Sequence, residues 1–255
     1  MDIKTIYEDS DVLVVNKPAG IVVFEEQTGN GSTRLSRPTL INELIKEYPE
    51  LKNAGEVPRY GAVHRLDKDT SGVLLVAKTT EALIFLQKQF KNREVGKIYI
   101  CLVEGEVKND SGEIKTLVAR SSRDPRKQTV YPLDISSLPA GRQAKSAREA
   151  ITEYKTLQRY NGFTLLEVKI KTGRRHQIRC HFSYLQHPVA GDKLYNFKKN
   201  HTGNRHGLKS KNPEGLTRQF LHAKYLKIQL PNGEIKEFQS DLPEELENIL
   251  KKLKK

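Results

Sequence analysis

The sequence predicts an α+β fold, and three observations predict it. Short β-rich runs recur along the chain, a few segments carry apolar residues at helical spacing, and the two kinds of segment do not alternate as a doubly wound parallel sheet requires. The expected architecture is a bent, mainly antiparallel mixed β-sheet with flanking helices and loops. The 255 residues are enough for a sizeable core and are read as one domain over 1–255, in a single piece or as two joined lobes.

Thr5–Tyr7 and Val12–Val15 read as strands separated by a turn at Glu8–Asp11. Lys17-Pro18 and Gly20 end the second run, because proline lacks the ladder donor and glycine permits the bend. Residues 25–37 form a polar loop. Thr39 is placed to cap a helix carrying Leu40, Ile41, Leu44 and Ile45, which Pro49 stops. Val73–Ala77 is a buried strand, and Glu81–Phe90 is an amphipathic helix whose packing residues are Leu83, Phe85, Leu86 and Phe90. Lys97–Val103 is apolar on both faces, as a sandwiched strand is.

Farther on, Ile114–Val118 and Ala150–Leu157 read as strands bracketing a long basic connection. Gly162–Ile170 is a strand that leads into residues 171–179. A short helix is expected over His181–Leu185, then strands over Ala223–Leu230 and Ile235–Phe238 joined at Pro231-Asn232-Gly233. Leu242–Leu253 carries the apolar stripe of a terminal helix.

Lysine and arginine number 44 against 31 acidic residues, a formal charge of +13, which favours a polyanionic partner. The excess is clustered. Residues 120–148 hold Arg120, Arg123, Arg126, Lys127, Arg142, Lys145 and Arg148 against Asp124 and Asp134, and residues 196–212 hold Lys198, Lys199, Arg205, Lys209 and Lys211 without an acid. Only Cys101 and Cys180 are present, which argues against a disulfide framework and fits a reducing compartment. No apolar run approaches a membrane span and no signal segment is evident, so the expected location is the cytoplasm and no membrane partner is expected.

Among candidate chemical groups, Asp67 stands out as a carboxylate in a polar motif backed by an apolar strand. Alone, it suits a nucleophile, an acid/base group, a metal ligand or a structural cap. His176, Cys180, His181 and His187 superficially suggest a metal cluster, but lack a paired Cys/His spacing. His64 and His222 invite a hydrolase reading, but no serine motif or further carboxylate set joins them.

His64-Arg65-Leu66-Asp67 with Thr70-Ser71-Gly72 resembles the active-site signature of the large-ribosomal-subunit uridine synthase A family of pseudouridine synthases. Tyr99 within Gly-Lys-Ile-Tyr-Ile, the Lys171–Arg179 segment, His187–Asp192, Leu221-His222-Ala223 and Phe238–Leu242 are similar to its further motifs, in order. The resemblance implies the pseudouridine synthase fold with a central RNA-binding cleft, and isomerisation of a uridine in structured rRNA or tRNA without cofactor or metal. It implies that Asp67 is the nucleophile, that Tyr99 packs on the target base and assists proton transfer, and that Arg179 pairs with Asp67. Ile178 would pack at the pocket. His64, Arg65, Leu66 and Thr70 would hold the flipped nucleotide, and Lys171, Arg174, Arg175 and His176 would contact RNA; at Arg175 the family's pattern has a small hydroxylated residue. The catalytic pattern begins so early that no preceding small RNA-binding domain is expected, which puts recognition on the core and the two basic patches. A catalytically inactive RNA-binding protein, or more remotely a nuclease, is the alternative; retention of Asp67 with Tyr99 and Arg179 disfavours the first, and the lack of a further carboxylate set disfavours the second.

Overall fold

A computed structural model describes residues 3–25, 38–134, 146–196 and 212–254. The 25–37 loop beyond Glu25, Arg142 and Lys145 of the first basic patch, and all five basic residues of the second lie outside the described residues. The chain forms two compact units, Met1–Lys97 with His222–Asp241 and Ile98–Leu221 with Leu242–Lys255.

In the first unit, β1 (Lys4–Glu8) pairs antiparallel with β2 (Val12–Lys17), and β2 pairs antiparallel with β3 (Ser71–Ala77). All seven residues of β3 are buried, as expected of a strand covered on both faces. It continues by a short parallel pairing to β9 (Leu221–Gln229), with Ser71 opposite His222, and β9 pairs antiparallel with β10 (Ile235–Gln239). The Asn-Gly turn is present: Gly233 has φ +89°. Helix α1 (Leu40–Glu47) is capped by Thr39, whose hydroxyl accepts the Asn42 N–H at 3.2 Å, and Pro49 opens a 3-10 turn, Pro49–Asn53, in place of further α-helix. Helix α2 (Thr80–Asn92) packs Leu83 and Leu86 into a core with Val12, Val14, Leu75, Leu226 and Phe238.

In the second unit, β4 (Gly96–Glu104) from Ile98 onward pairs antiparallel with β8 (Phe163–Ile170), β8 with β7 (Arg148–Tyr160), and β7 with β5 (Ser111–Arg120). One strand was hidden from the sequence. Gln128–Tyr131, inside the stretch expected to be a basic loop, forms β6 and pairs with β5 at Leu117–Arg120. Its four residues are only half-buried and polar or mixed, so hydrophobic alternation does not mark it. Helix α3 (Gln177–Tyr184) begins four residues earlier than expected, which puts Ile178 and Arg179 on the helix. The terminal helix α4 (Glu244–Leu253) starts after Pro243, so Leu242 precedes it; its Leu246 and Ile249 pack with Leu102, Phe163, Leu165 and Phe220. Both units are α+β, and the pairing is mixed and mostly antiparallel. Among the described residues, no helix is long and apolar enough to cross a membrane.

Candidate active site

Asp67 lies in a turn between two anchored stretches of chain. Before it, Ala62 bridges Val76; after it, Ser71 starts β3. The turn closes with the Thr70 N–H donating to the Asp67 carbonyl oxygen at 3.1 Å, and the Gly20 N–H donates to the Lys68 carbonyl oxygen at 2.9 Å. Beneath it sits Lys17, fully buried at the end of β2. Its Nζ donates to the carbonyl oxygens of Pro18 at 2.8 Å, Lys68 at 3.1 Å and Thr70 at 2.8 Å. Three carbonyl dipoles thus solvate a cation that burial would otherwise penalise severely, and in return the cation fixes the turn.

The other side chains of the motif are divided between packing and solvent. Leu66 and Thr70 are buried, Asp67 is half-buried and Arg65 is exposed. The Arg65 guanidinium carbon stands 5.2 Å from the Phe24 ring centroid. His64 is turned inward: its Nε2 accepts the Leu75 N–H at 3.0 Å, and its ring stacks on Phe90 with centroids 4.8 Å apart. Burial, assisted by the positive charge of Lys97, pushes its pKa down to about 3, so the ring is neutral and its second nitrogen carries the proton. Burial also lowers Lys97 to about 8, with its ammonium 5.5 Å from the Phe90 centroid.

Gly72 shows why glycine follows the motif. Its φ is +118°, and a Cβ there would run into the Ala223 carbonyl oxygen where β3 meets β9. Beside it, the Ser71 hydroxyl lies 2.9 Å from His222 Nδ1, and His222 Nε2 lies 3.1 Å from the Ser240 carbonyl oxygen. A carbonyl only accepts, so Nε2 is the protonated nitrogen and Ser71 donates to Nδ1. His222 therefore braces the strand junction, and the burial of both Ser71 and His222 keeps the hydroxyl from solvent.

In the second unit, Tyr99 is a buried residue of β4, opposite Val168 of β8. Arg179 projects from α3 and makes a bidentate ion pair with Asp192: Nε donates to Oδ2 at 2.7 Å and Nη2 to Oδ1 at 3.0 Å. Burial raises the Asp192 carboxyl, but Arg179 and the Leu194 and Tyr195 N–H groups reverse the effect and leave it below the ordinary carboxylate value. The guanidinium carbon also lies 5.1 Å from the Tyr195 ring centroid. The Tyr195 hydroxyl accepts the Gln128 N–H at 2.6 Å and lies 3.1 Å from His176 Nδ1. Burial raises the Tyr195 pKa, so the phenol stays protonated. This previously hidden strand β6 thus has a purpose in the site: its first N–H fixes the tyrosine on which Arg179 rests.

The 171–179 segment is braced rather than merely solvated. Gln177 Oε1 accepts the Thr172 hydroxyl at 2.7 Å and the Arg174 N–H at 3.0 Å, while its amide donates to the Ile151 carbonyl and the Thr152 hydroxyl. Thr152 Oγ1 is 2.9 Å from His181 Nδ1, and Thr116 Oγ1 is 2.9 Å from Nε2. Of the basic residues expected to contact RNA, Lys171 pairs with Glu153 at 3.2 Å and Arg174 Nε donates to the Glu149 carbonyl at 2.9 Å; Arg175 is half-buried. His176 caps α3 in a left-handed conformation, φ +53°, and Ile178 is buried. His187 Nδ1 lies 2.9 Å from the Glu104 carbonyl oxygen, so each histidine of the superficial metal cluster has its own hydrogen-bond partner.

Residues 11–184 match the family model described as RNA pseudouridylate synthase. The chain belongs to this family. A relative from Aquifex aeolicus, named as an uncharacterized RNA pseudouridine synthase, is 43% identical over 198 residues, covering 77% of this chain and 57% of the relative. The ribosomal large subunit pseudouridine synthase D of Nitrosomonas europaea is 35% identical over 259 residues, covering 99% of this chain and 65% of that protein. The chain therefore spans a little over half to two thirds of the length of these relatives. The solved structure of human RNA pseudouridylate synthase domain containing 1 superposes with a TM-score of 0.69 at 25% identity, covering 95% of this chain and 84% of that one.

Within this pseudouridylate synthase fold, the sequence pointed to the turn of Asp67 and the helix of Arg179 but passed over Lys17, Asp192 as a partner of Arg179, and Tyr195. Lys17 carried a usable signal: a lysine ending a run of buried β-branched residues must place its charge somewhere. Tyr195 carried none, since its hydroxyl is satisfied by residues 67 and 19 positions away in the chain.

Proposed function

We propose that this chain isomerises a uridine to pseudouridine in structured RNA, with large-subunit ribosomal RNA the first substrate to examine. The observation that carries the reading is the Asp67 turn, whose fixation by buried Lys17 gives a carboxylate a defined position next to an exposed arginine. The RNA class follows the name of the Nitrosomonas relative, and the cytoplasm is its proposed location.

In this reading Asp67 is the nucleophile, Tyr99 faces the uracil, and Arg179, held by Asp192, is the countercharge of Asp67; these roles rest on the ordered motifs. Ile178 and Leu66 supply apolar walls, Arg65 and Thr70 serve the flipped nucleotide, and Lys171, Arg174, Arg175 and His176 serve the RNA backbone. His64 acts through the motif backbone, because its Nε2 already holds the Leu75 N–H. The base leaves the stack, the bond from ribose C1′ to uracil N1 breaks, and C1′ rejoins at C5. Asp67 attacks C1′ or assists formation of a glycal; attack at C6 is the other route. N1 gains a proton and C5 loses one, so every atom is conserved and the detached uracil must be retained.

Site-resolved pseudouridine mapping of cellular RNA after removal and restoration of the protein tests the reading. A uridine whose conversion disappears and returns with the protein supports it. Unchanged modification throughout, with the protein present and bound to RNA, overturns it.

A further inference from the structure

Every polar atom of Tyr195 is engaged by a group that bears on Arg179 or its helix. Its N–H donates to Asp192 Oδ1 at 3.0 Å, the oxygen that Arg179 Nη2 also reaches, and its carbonyl accepts the hydroxyl of Ser183 on α3 at 3.1 Å. Its hydroxyl accepts the Gln128 N–H at 2.6 Å and lies 3.1 Å from Nδ1 of His176, the residue that opens α3. We propose that Tyr195 is a positioning residue through which the β5–β6 hairpin, with RNA on its cations, sets the orientation of the Arg179 guanidinium. The inference rests on the pseudouridine synthase reading for the task of Arg179.

The hairpin end of these contacts is built. The Ser121 N–H donates to the Lys127 carbonyl at 3.0 Å, the Lys127 N–H to the Asp124 carbonyl at 2.8 Å, and Arg120 Nε to the Pro125 carbonyl at 2.9 Å. Asp124 pairs with Arg126, and among the described residues no ion pair involves Arg120, Arg123 or Lys127. The turn therefore presents positive charge suited to a phosphate backbone. The same ring faces both ends: the Lys127 ammonium lies 5.9 Å from the Tyr195 centroid and the Arg179 guanidinium carbon 5.1 Å from it.

The Gln128–Tyr195 bond is the link. Tyr195 is buried, and a short hydrogen bond in such surroundings is stronger than one in water, so a shift of β6 carries the phenol with it. Asp192 holds the guanidinium through Nε and Nη2, and the Tyr195 ring limits how far it tilts. Orientation matters because a charged group displaced by about 1 Å can cost on the order of 10²-fold in rate. RNA that steadies the hairpin thereby steadies the countercharge, and the dependence falls on conversion rather than on affinity.

Single-turnover conversion of uridine with the enzyme in saturating excess, and RNA affinity of the same preparations, test the role. Tyr195→Phe keeps the ring and removes the hydroxyl, so conversion should fall about tenfold while affinity changes less than about threefold. Gln128→Pro removes the donor at the other end of the bond, at the first residue of an edge strand, where proline is tolerated. It should give the same split, and the double variant should be no more than about threefold slower than either single one, because both cut one link. Losses that multiply, or conversion at the wild-type rate in Tyr195→Phe, would overturn the inference. A second readout needs no turnover: the nitrogen NMR resonance of Arg179 Nε, assigned by its loss in Arg179→Lys, should shift when oligouridylate is added to the wild type and shift less than half as far in Tyr195→Phe at equal occupancy. No shift in the wild type, or equal shifts in both, would overturn the coupling. A wild-type protein that shows the shift but converts no uridine would instead count against the isomerase reading and support the coupling.

Discussion

The Lys17 ammonium lies 2.8 Å from the Thr70 carbonyl oxygen, so a fully buried cation ties the end of β2 to the turn that carries Asp67. Replacing it with a methionine of similar length removes the donor for three carbonyl oxygens and leaves them facing an apolar chain. Lys17→Met is expected to destabilise the fold by about 2–4 kcal/mol, read from urea unfolding. At temperatures where the variant is folded, turnover on saturating RNA should fall more than tenfold with little loss of RNA affinity. Equal losses in both, or neither, would show that the lysine does not position the turn.

The Arg179–Asp192 pair is expected to behave as a buried ion pair. Arg179→Ala removes the guanidinium that holds the buried Asp192 carboxylate, at a cost of about 3–5 kcal/mol. Asp192 has a lowered pKa in the fold, so its contribution is present above the unfolded value near 4 and is lost as pH falls through the folded value. Unfolding midpoints measured from pH 5 down to pH 2 should drop in the wild type and drop less in Asp192→Asn. Parallel curves would contradict the assignment.

Two histidines predict a separate loss at milder acidity. Burial lowers His181 to about 4, and burial with the Lys97 charge lowers His64 to about 3, so both are neutral in the fold and take up protons more readily when unfolded. Their contribution is intact above pH ~6.5 and declines as pH falls below it, by at most ~1.4 kcal/mol per pH unit for each. Urea unfolding at pH 7, 6 and 5 should show the decline, and His181→Gln should flatten it. A midpoint independent of pH over this range would refute the burial argument.

The sequence and the structure agree where one residue's surroundings are local. Thr39 caps α1, Pro49 ends it, and Asn232-Gly233 turns β9 into β10, because each of these depends on neighbours a few positions away. The Asp67 motif was legible as an ordered set of residues, although not as a mechanical device: Lys17 lies 51 and 53 positions from two of the carbonyls it holds. Strand β6 was missed because its stability comes from pairing with β5 rather than from an apolar face of its own. His64 marks the other limit: the motif singles it out, but the Leu75 N–H that its Nε2 accepts lies eleven positions away on β3.

The most direct test of the account is single-turnover conversion of uridine in deproteinised large-subunit ribosomal RNA by wild-type protein and by Asp67→Asn. The asparagine keeps the shape of the turn and removes the ionised oxygen, so RNA affinity should change less than threefold while conversion falls by on the order of 10³ or more. Conversion by Asp67→Asn at the wild-type rate would contradict the account.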